Sequence, residues 1–192
     1  MFRDADRFFE VLADHEGFPD QWFLNDPVSD DGTEIDARDF VNGSGYRDVL
    51  PARLSVGNPG RELAFNLGAF DMPVVEFSLA ETIRQIAPDA AEFFPVRIDG
   101  ALRRYEIMNV YRSVDCLDET HSIFTRWGPE DERPDRMGNL KMISVIIIDP
   151  KKAKGSHLFR IAGWPLALLV SERLKRAIED VPELGILFGP VT

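Results

Sequence analysis

Hydrophobic and polar positions along this chain follow two different periods, and the changes of period mark its elements. Over residues 4–14, Phe8, Val11 and Leu12 are spaced as one face of an amphipathic helix, with Asp4 as its cap and Gly17 and Pro19 as its stop. Residues 25–48 are rich in Asp, Gly, Ser and Asn, whose side chains compete with the backbone for hydrogen bonds. Loops are expected there, with one short element near 37–41. Beyond residue 60 strands dominate, at 63–67, 74–77, 93–98 and 104–112, the last two joined around the turn formers Asp99 and Gly100. Between 74–77 and 93–98 a helical stretch carries Leu79, Ile83, Ile86 and Ala87 as its buried stripe. Residues 142–148, MISVIII, are apolar and β-branched without alternation, which predicts a central strand covered on both faces. A strand over 166–170, a helix with Leu174, Ala177, Ile178 and Val181 inward, and a strand over 186–191 close the chain.

Two of these stretches repeat one another. In residues 60–96 and 155–191 a Gly is followed by a Leu (Leu63, Leu158), a second Gly (Gly68, Gly163) and a Pro (Pro73, Pro165). An apolar run then ends in Ser78 or Ser171, a helical stretch follows, and each copy closes on Pro-Val (Pro95-Val96, Pro190-Val191). Ser78 and Ser171 read as helix caps, Ser78 with Glu81 completing a reciprocal capping box. The copies start 95 residues apart, too far for a stacked solenoid. The pattern predicts one α+β domain over 1–192 with a mixed β-sheet and two related strand–helix–strand units. Residues 1–59 form an acidic N-terminal region and 60–192 the core.

Composition narrows the class. A chain of 192 residues with 44% hydrophobic content supports one core, burying roughly 70% of the unfolded surface. The net charge is −11, and residues 1–50, with 13 acidic and 4 basic side chains, supply −9 of it. A basic patch able to neutralise phosphates is missing, which argues against nucleic acid as a partner. The chain opens without a basic, apolar leader, and its longest apolar run, 161–170, is half the roughly 20 residues a spanning helix needs. A cytoplasmic protein without a membrane partner is expected. The single Cys116 excludes an internal disulfide or a Cys-based zinc cluster and fits a reducing compartment.

Candidate chemistry is sparse. The densest polar group is DCLDETHS at 115–122, where Asp118 with His121, or Asp115 with Glu119, would meet on a helix. It supports one enzymatic reading, a small hydrolase or metal-dependent enzyme, with His121 as base oriented by Asp118 or the pair holding a divalent metal. A structural role, as a loop or helix start after a strand with Asp118 or Ser122 bonding nearby amides, is the stronger one, because a second ligand cluster or nucleophile is missing. Cys116 lies between acids that raise a thiol's pKa. GSHLFRIAG at 155–163 has neither glycine-rich phosphate-loop spacing and reads as a turn and a strand. Trp22, Trp127 and Trp164 are read as half-buried core, Trp164 leaning to a surface or edge role. No cofactor or metal is expected.

Specific residues then point to a family. The runs FPVRI, RRYEIMNVYRSVDCLDETHS and LFRIAGWPLALLVSERLKRAIEDVPELGILFGPV resemble an immunity-protein family once known only as a domain of unknown function and typified by a myxobacterial immunity protein. The matching features are the strand Tyr105–Val110, Asp118 with Ser122, Phe159-Arg160 before Gly163, the VSERL helix start, and the final Phe188, Pro190 and Val191. They cover roughly residues 73–192. The resemblance implies an α+β fold and a cytoplasmic antidote, encoded beside a polymorphic toxin, that binds the toxin without catalysis. The acids Asp26, Asp30, Asp31, Glu34, Asp36 and Asp39 are the expected toxin-binding residues, facing a basic surface.

Overall fold

The computed structural model describes residues 7–43 and 50–192. The chain passes through β1 (Phe8–Ala13), β2 (Phe23–Leu24), β3 (Arg53–Leu54), β4 (Val56–Asn58), β5 (Phe65–Leu67) and β6 (Pro73–Glu76). Then come α1 (Phe77–Ile86), β7 (Ala91–Ile98), β8 (Tyr105–Val110), β9 (Ser113–Val114), β10 (Ile123–Arg126) and β11 (Leu140–Val145). The last elements are β12 (Leu158–Ile161), β13 (Trp164–Ser171), α2 (Glu172–Ile178) and β14 (Ile186–Pro190). The architecture is mixed α+β, with two five-stranded sheets ordered β3-β7-β8-β6-β5 and β14-β1-β13-β12-β9.

The two sheets are copies of one plan. In each, a hairpin (β5-β6 or β12-β13) leads into a helix (α1 or α2) and then a strand (β7 or β14). A central antiparallel strand lies between the hairpin and the last strand: β8 in the first sheet and β1 in the second. Val75 and Pro95 flank Glu106 of β8, while Val170 and Pro190 flank Phe9 of β1. Helix starts (Phe77, Glu172), final-strand starts (Ala91, Ile186) and buried helix residues (Leu79 with Leu174, Ile83 with Ile178) are likewise 95 positions apart. The repeat thus extends beyond 60–96 and 155–191 to include β1 and β8. Each central strand opens its own copy and completes the sheet of the other, an exchange that makes the halves interdependent.

That exchange explains why residues 8–13 form a strand rather than the expected helix; Asp4, the expected cap, lies outside the described residues. FFEVLA fits both periods, but a helix would put Phe8 and Phe9 about 100° apart and bury only one face. As a central strand, β1 sends Phe9 and Val11 into the core shared by both sheets and Phe8 to the opposite face, edge-on to Phe159 at 5.6 Å. Both its edges are hydrogen-bonded, to β13 and β14.

One core collects the inner faces of both sheets with Leu79 and Ile83 of α1 and Leu174 and Ile178 of α2. Ile86 and Val181 pack against it from partly buried positions, Ala87 is buried, and Ala177 faces solvent. Each outer face is covered by the segment that follows a central strand. Trp22, Leu24, Ile35 and Phe40 cover the first sheet, and Cys116, Leu117, Ile148 and Ala153 the second. The N-terminal region is therefore built into the core. The short element near 37–41 is a 3-10 turn, Ala37–Phe40.

Two further expectations are corrected. Ser78 is not a cap: α1 starts at Phe77 with Glu76 in the cap position, and Ser78 is exposed in the first turn. The amide of Phe77, the first helical residue, donates to the Arg104 carbonyl in the loop before β8, and Glu81 pairs with Arg84 instead of closing a capping box. Ser171 does cap α2, its hydroxyl accepting from the Leu174 amide at 3.3 Å. MISVIII is not a covered central strand. Its first residues belong to β11, paired only with β10, and Met142 and Val145 are exposed, while Ile143 and Ile146 lean on the outer core and Ile148 alone is fully buried. β-branched runs favour strands, but burial depends on partners the run does not encode.

Candidate functional site

Three groups of polar residues stand out. The first is the acidic segment. Asp26 accepts from the Ala37 amide, and Asp36 caps the 3-10 turn through the Arg38 amide while gripping the Arg38 guanidinium with both oxygens. Asp31 accepts from the Ser29 hydroxyl and the Thr33 amide. Hydrogen bonds from Arg38 and from Ser29 hold the carboxyls of Asp36 and Asp31 below the usual carboxylate range. Asp30 pairs with Arg97 at 3.2 Å in full view of solvent, and Glu34 is exposed. Asp39 is half-buried on the 3-10 turn. Several of these acids thus shape their own segment, which turns tightly over the outer face of the first sheet.

The second group is 115–122. Asp118 accepts from the amides of Thr120 and His121 and meets the His121 ring at 2.8 Å, an Asx-type turn rather than a helix. The hydrogen bond from His121 is the main cause that holds the Asp118 carboxyl down. Ser122 exchanges hydrogen bonds with both backbone groups of Ile147, tying the turn to the end of the β11 segment. Arg126 takes up Glu119 at 2.6 Å. Cys116 is fully buried, and burial, with Asp115 adding to it, pushes its thiol up to about 11. Among the described residues, no three His, Cys, Asp or Glu side chains are grouped to hold a metal ion.

The third group was not anticipated. Between β1, β13 and the turn from β5 to β6 lies a cleft of about 400 Å³, where side chains from the two copies meet. β1 pairs with β13 only from Phe8 to Glu10, and beyond that point it follows β14 while β13 follows β12, so the sheet splays open. Glu10, Leu12, Phe65, Asp71, Arg160 and Leu166 are among the lining residues. Arg160 is 3% exposed; its Nη1 donates to the Pro165 carbonyl, and its Nε and Nη2 have no hydrogen-bond partner. Burial pulls its pKa down to about 10, and nearby Asp71 opposes that fall. Asp71 and the preceding Phe70 both adopt left-handed backbone, at φ 60° and 54°, each at a cost of about 1–3 kcal/mol. Burial also pushes the Glu10 carboxyl up. The sequence does carry a signal for this site: Arg160 interrupts the apolar run LFRIAG, at the place where the first copy has Phe65.

The family model described as Immunity protein family (Imm11) matches residues 58–192. The chain matches no curated protein.

Proposed function

Because the chain belongs to the immunity protein family (Imm11), we propose that it is a cytoplasmic antidote that binds a cognate toxin and neutralises it by occupation rather than by catalysis. The family match carries this reading. The charge distribution supports it further: −9 of the −11 lies in residues 1–50, and Asp30, Asp31, Glu34 and Asp36 are exposed together on one turn-rich segment. At physiological salt charges act over about 8 Å, so acids gathered on one segment steer a basic partner where scattered ones do not.

The test pairs the purified protein with the toxin encoded beside its gene. A one-to-one complex by calorimetry, together with protection of cells that express the toxin, is the expected result. Protection without a stable complex, with the toxin recovered cleaved or chemically modified, points to an enzyme and ends this reading.

A further inference from the structure

We propose that the cleft between β1, β13 and the β5-β6 turn is a seat for a carboxylate on an apolar body, with Nε and Nη2 of Arg160 as its two donors. This inference does not depend on toxin capture. A guanidinium presents its Nε–H and the Nη2–H beside it as a parallel fork, the pair that matches both oxygens of a carboxylate. In Arg160 the remaining nitrogen, Nη1, is fixed on the Pro165 carbonyl, and the fork is the part left without a partner. Buried charged groups are normally paired, and a buried polar group without a partner is the exception that asks for one. Both fork nitrogens are closed to solvent here, so a ligand must draw the side chain toward the cleft. The flexible arginine stem allows that movement, and Leu166 at the rim lies on the part of β13 that β1 does not hold.

The rest of the cleft sets the ligand's character. Leu12 and Leu166 are exposed at 43% and 56% beside Phe65 and Leu168, an apolar wall for a short aliphatic or aromatic body. Asp71 is the internal competitor: its charge acts on Arg160 without reaching it by a hydrogen bond, and an incoming carboxylate must outcompete it. Glu10 lines the same cleft, and burial pushes its carboxyl up.

The probes are 4-methylpentanoate, its neutral isostere 4-methylpentanamide, and the blocked peptide acetyl-Leu-Glu-Leu-amide, each titrated into the full chain by calorimetry or NMR. The carboxylate is expected to bind on the order of tenfold more tightly than the amide. Asp71→Asn, which leaves Arg160 in place, should tighten carboxylate binding, and Arg160→Gln should abolish it. Tighter binding of the free acid than of the peptide assigns the seat to a small molecule, and the reverse assigns it to an acidic side chain of a protein. Equal affinity for acid and amide, no binding of either acid, or weaker binding to Asp71→Asn overturns the proposal. Since the amide comparison and Asp71→Asn both retain Arg160, the test stands even if Arg160→Gln fails to fold.

Discussion

Val75 and Val170 occupy one position in two copies of the same structure: Val75 lies opposite Glu106 of β8, and Val170 lies opposite Phe9 of β1. Both valines are fully buried in the shared core. Their central partners come from the other copy, so the chain resembles a strand-exchanged dimer whose two subunits have been joined. A sheet without its central strand exposes two unpaired edges and an apolar face, which a half of this size cannot leave in water.

The exchange predicts that neither half folds alone. Residues 1–100 and 101–192, produced separately, should each lack cooperative thermal unfolding by circular dichroism. Mixed together they should associate one to one and regain the spectrum of the intact chain. A cooperatively folded, monomeric first half would show that β1 and β8 are dispensable and that the exchange does not govern stability.

The helix starts are predicted to differ. Ser171→Ala should destabilise the protein by about 1 kcal/mol through loss of the α2 cap. Its hydroxyl also meets the His157 ring at 2.8 Å. Ser78→Ala removes an exposed side chain with no capping bond and should change stability by less than about 0.5 kcal/mol. Urea denaturation of the two variants decides the matter. Equal losses would return Ser78 to the cap.

Cys116 should be silent as a nucleophile. Its thiol is fully buried and its pKa is raised from 9.0 to about 11, so the thiolate is scarce at neutral pH. In the unfolded chain the thiol ionises near its ordinary value, which fixes the sign of the linkage. Folding favours the protonated thiol, and the associated stability is present below pH 9 and declines as pH rises toward 11. Disulfide-exchange reagents should react slowly with the native protein between pH 7 and 9 and quickly in denaturant. Rapid native labelling would mean that the 115–122 turn opens readily.

The repeat was legible because Leu63 and Leu158, and Val96 and Val191 of the closing Pro-Val, are buried at equivalent positions of the two copies. The cap was misplaced because the prolines do not keep that register. Where the second copy continues as strand from Trp164, the first makes a 3-10 turn at Ala69–Asp71. Matching Pro73 to Pro165 and Ser78 to Ser171 follows the letters, at offsets of 92 and 93 residues, whereas the backbone, at 95, matches Glu76 to Ser171. β1 was illegible for a different reason. FFEVLA fits helix and strand alike, and what decides is pairing with β13 and β14, more than 150 residues away. Arg160 is visible as a charge in an apolar run, but its missing partners show only in three dimensions.

The acidic segment yields the last prediction, and its structure dictates which acids to change. Asp26, Asp31 and Asp36 hold amides within the segment, so neutralising them alters its shape as well as its charge. Asp30 and Glu34 are exposed and brace no turn through their side chains; the Asp30–Arg97 pair, with both partners largely in water, contributes little to stability. Asp30→Asn with Glu34→Gln should therefore leave folding intact and remove two charges. If the segment steers a basic toxin, the association rate should fall in the double variant and its dependence on salt should flatten, with dissociation changed less. Stopped-flow association with the toxin encoded beside the gene, at low and physiological salt, measures both. An association rate unchanged at low salt would leave these acids a role in solubility alone and move the search for the binding face to the splayed sheet around Arg160.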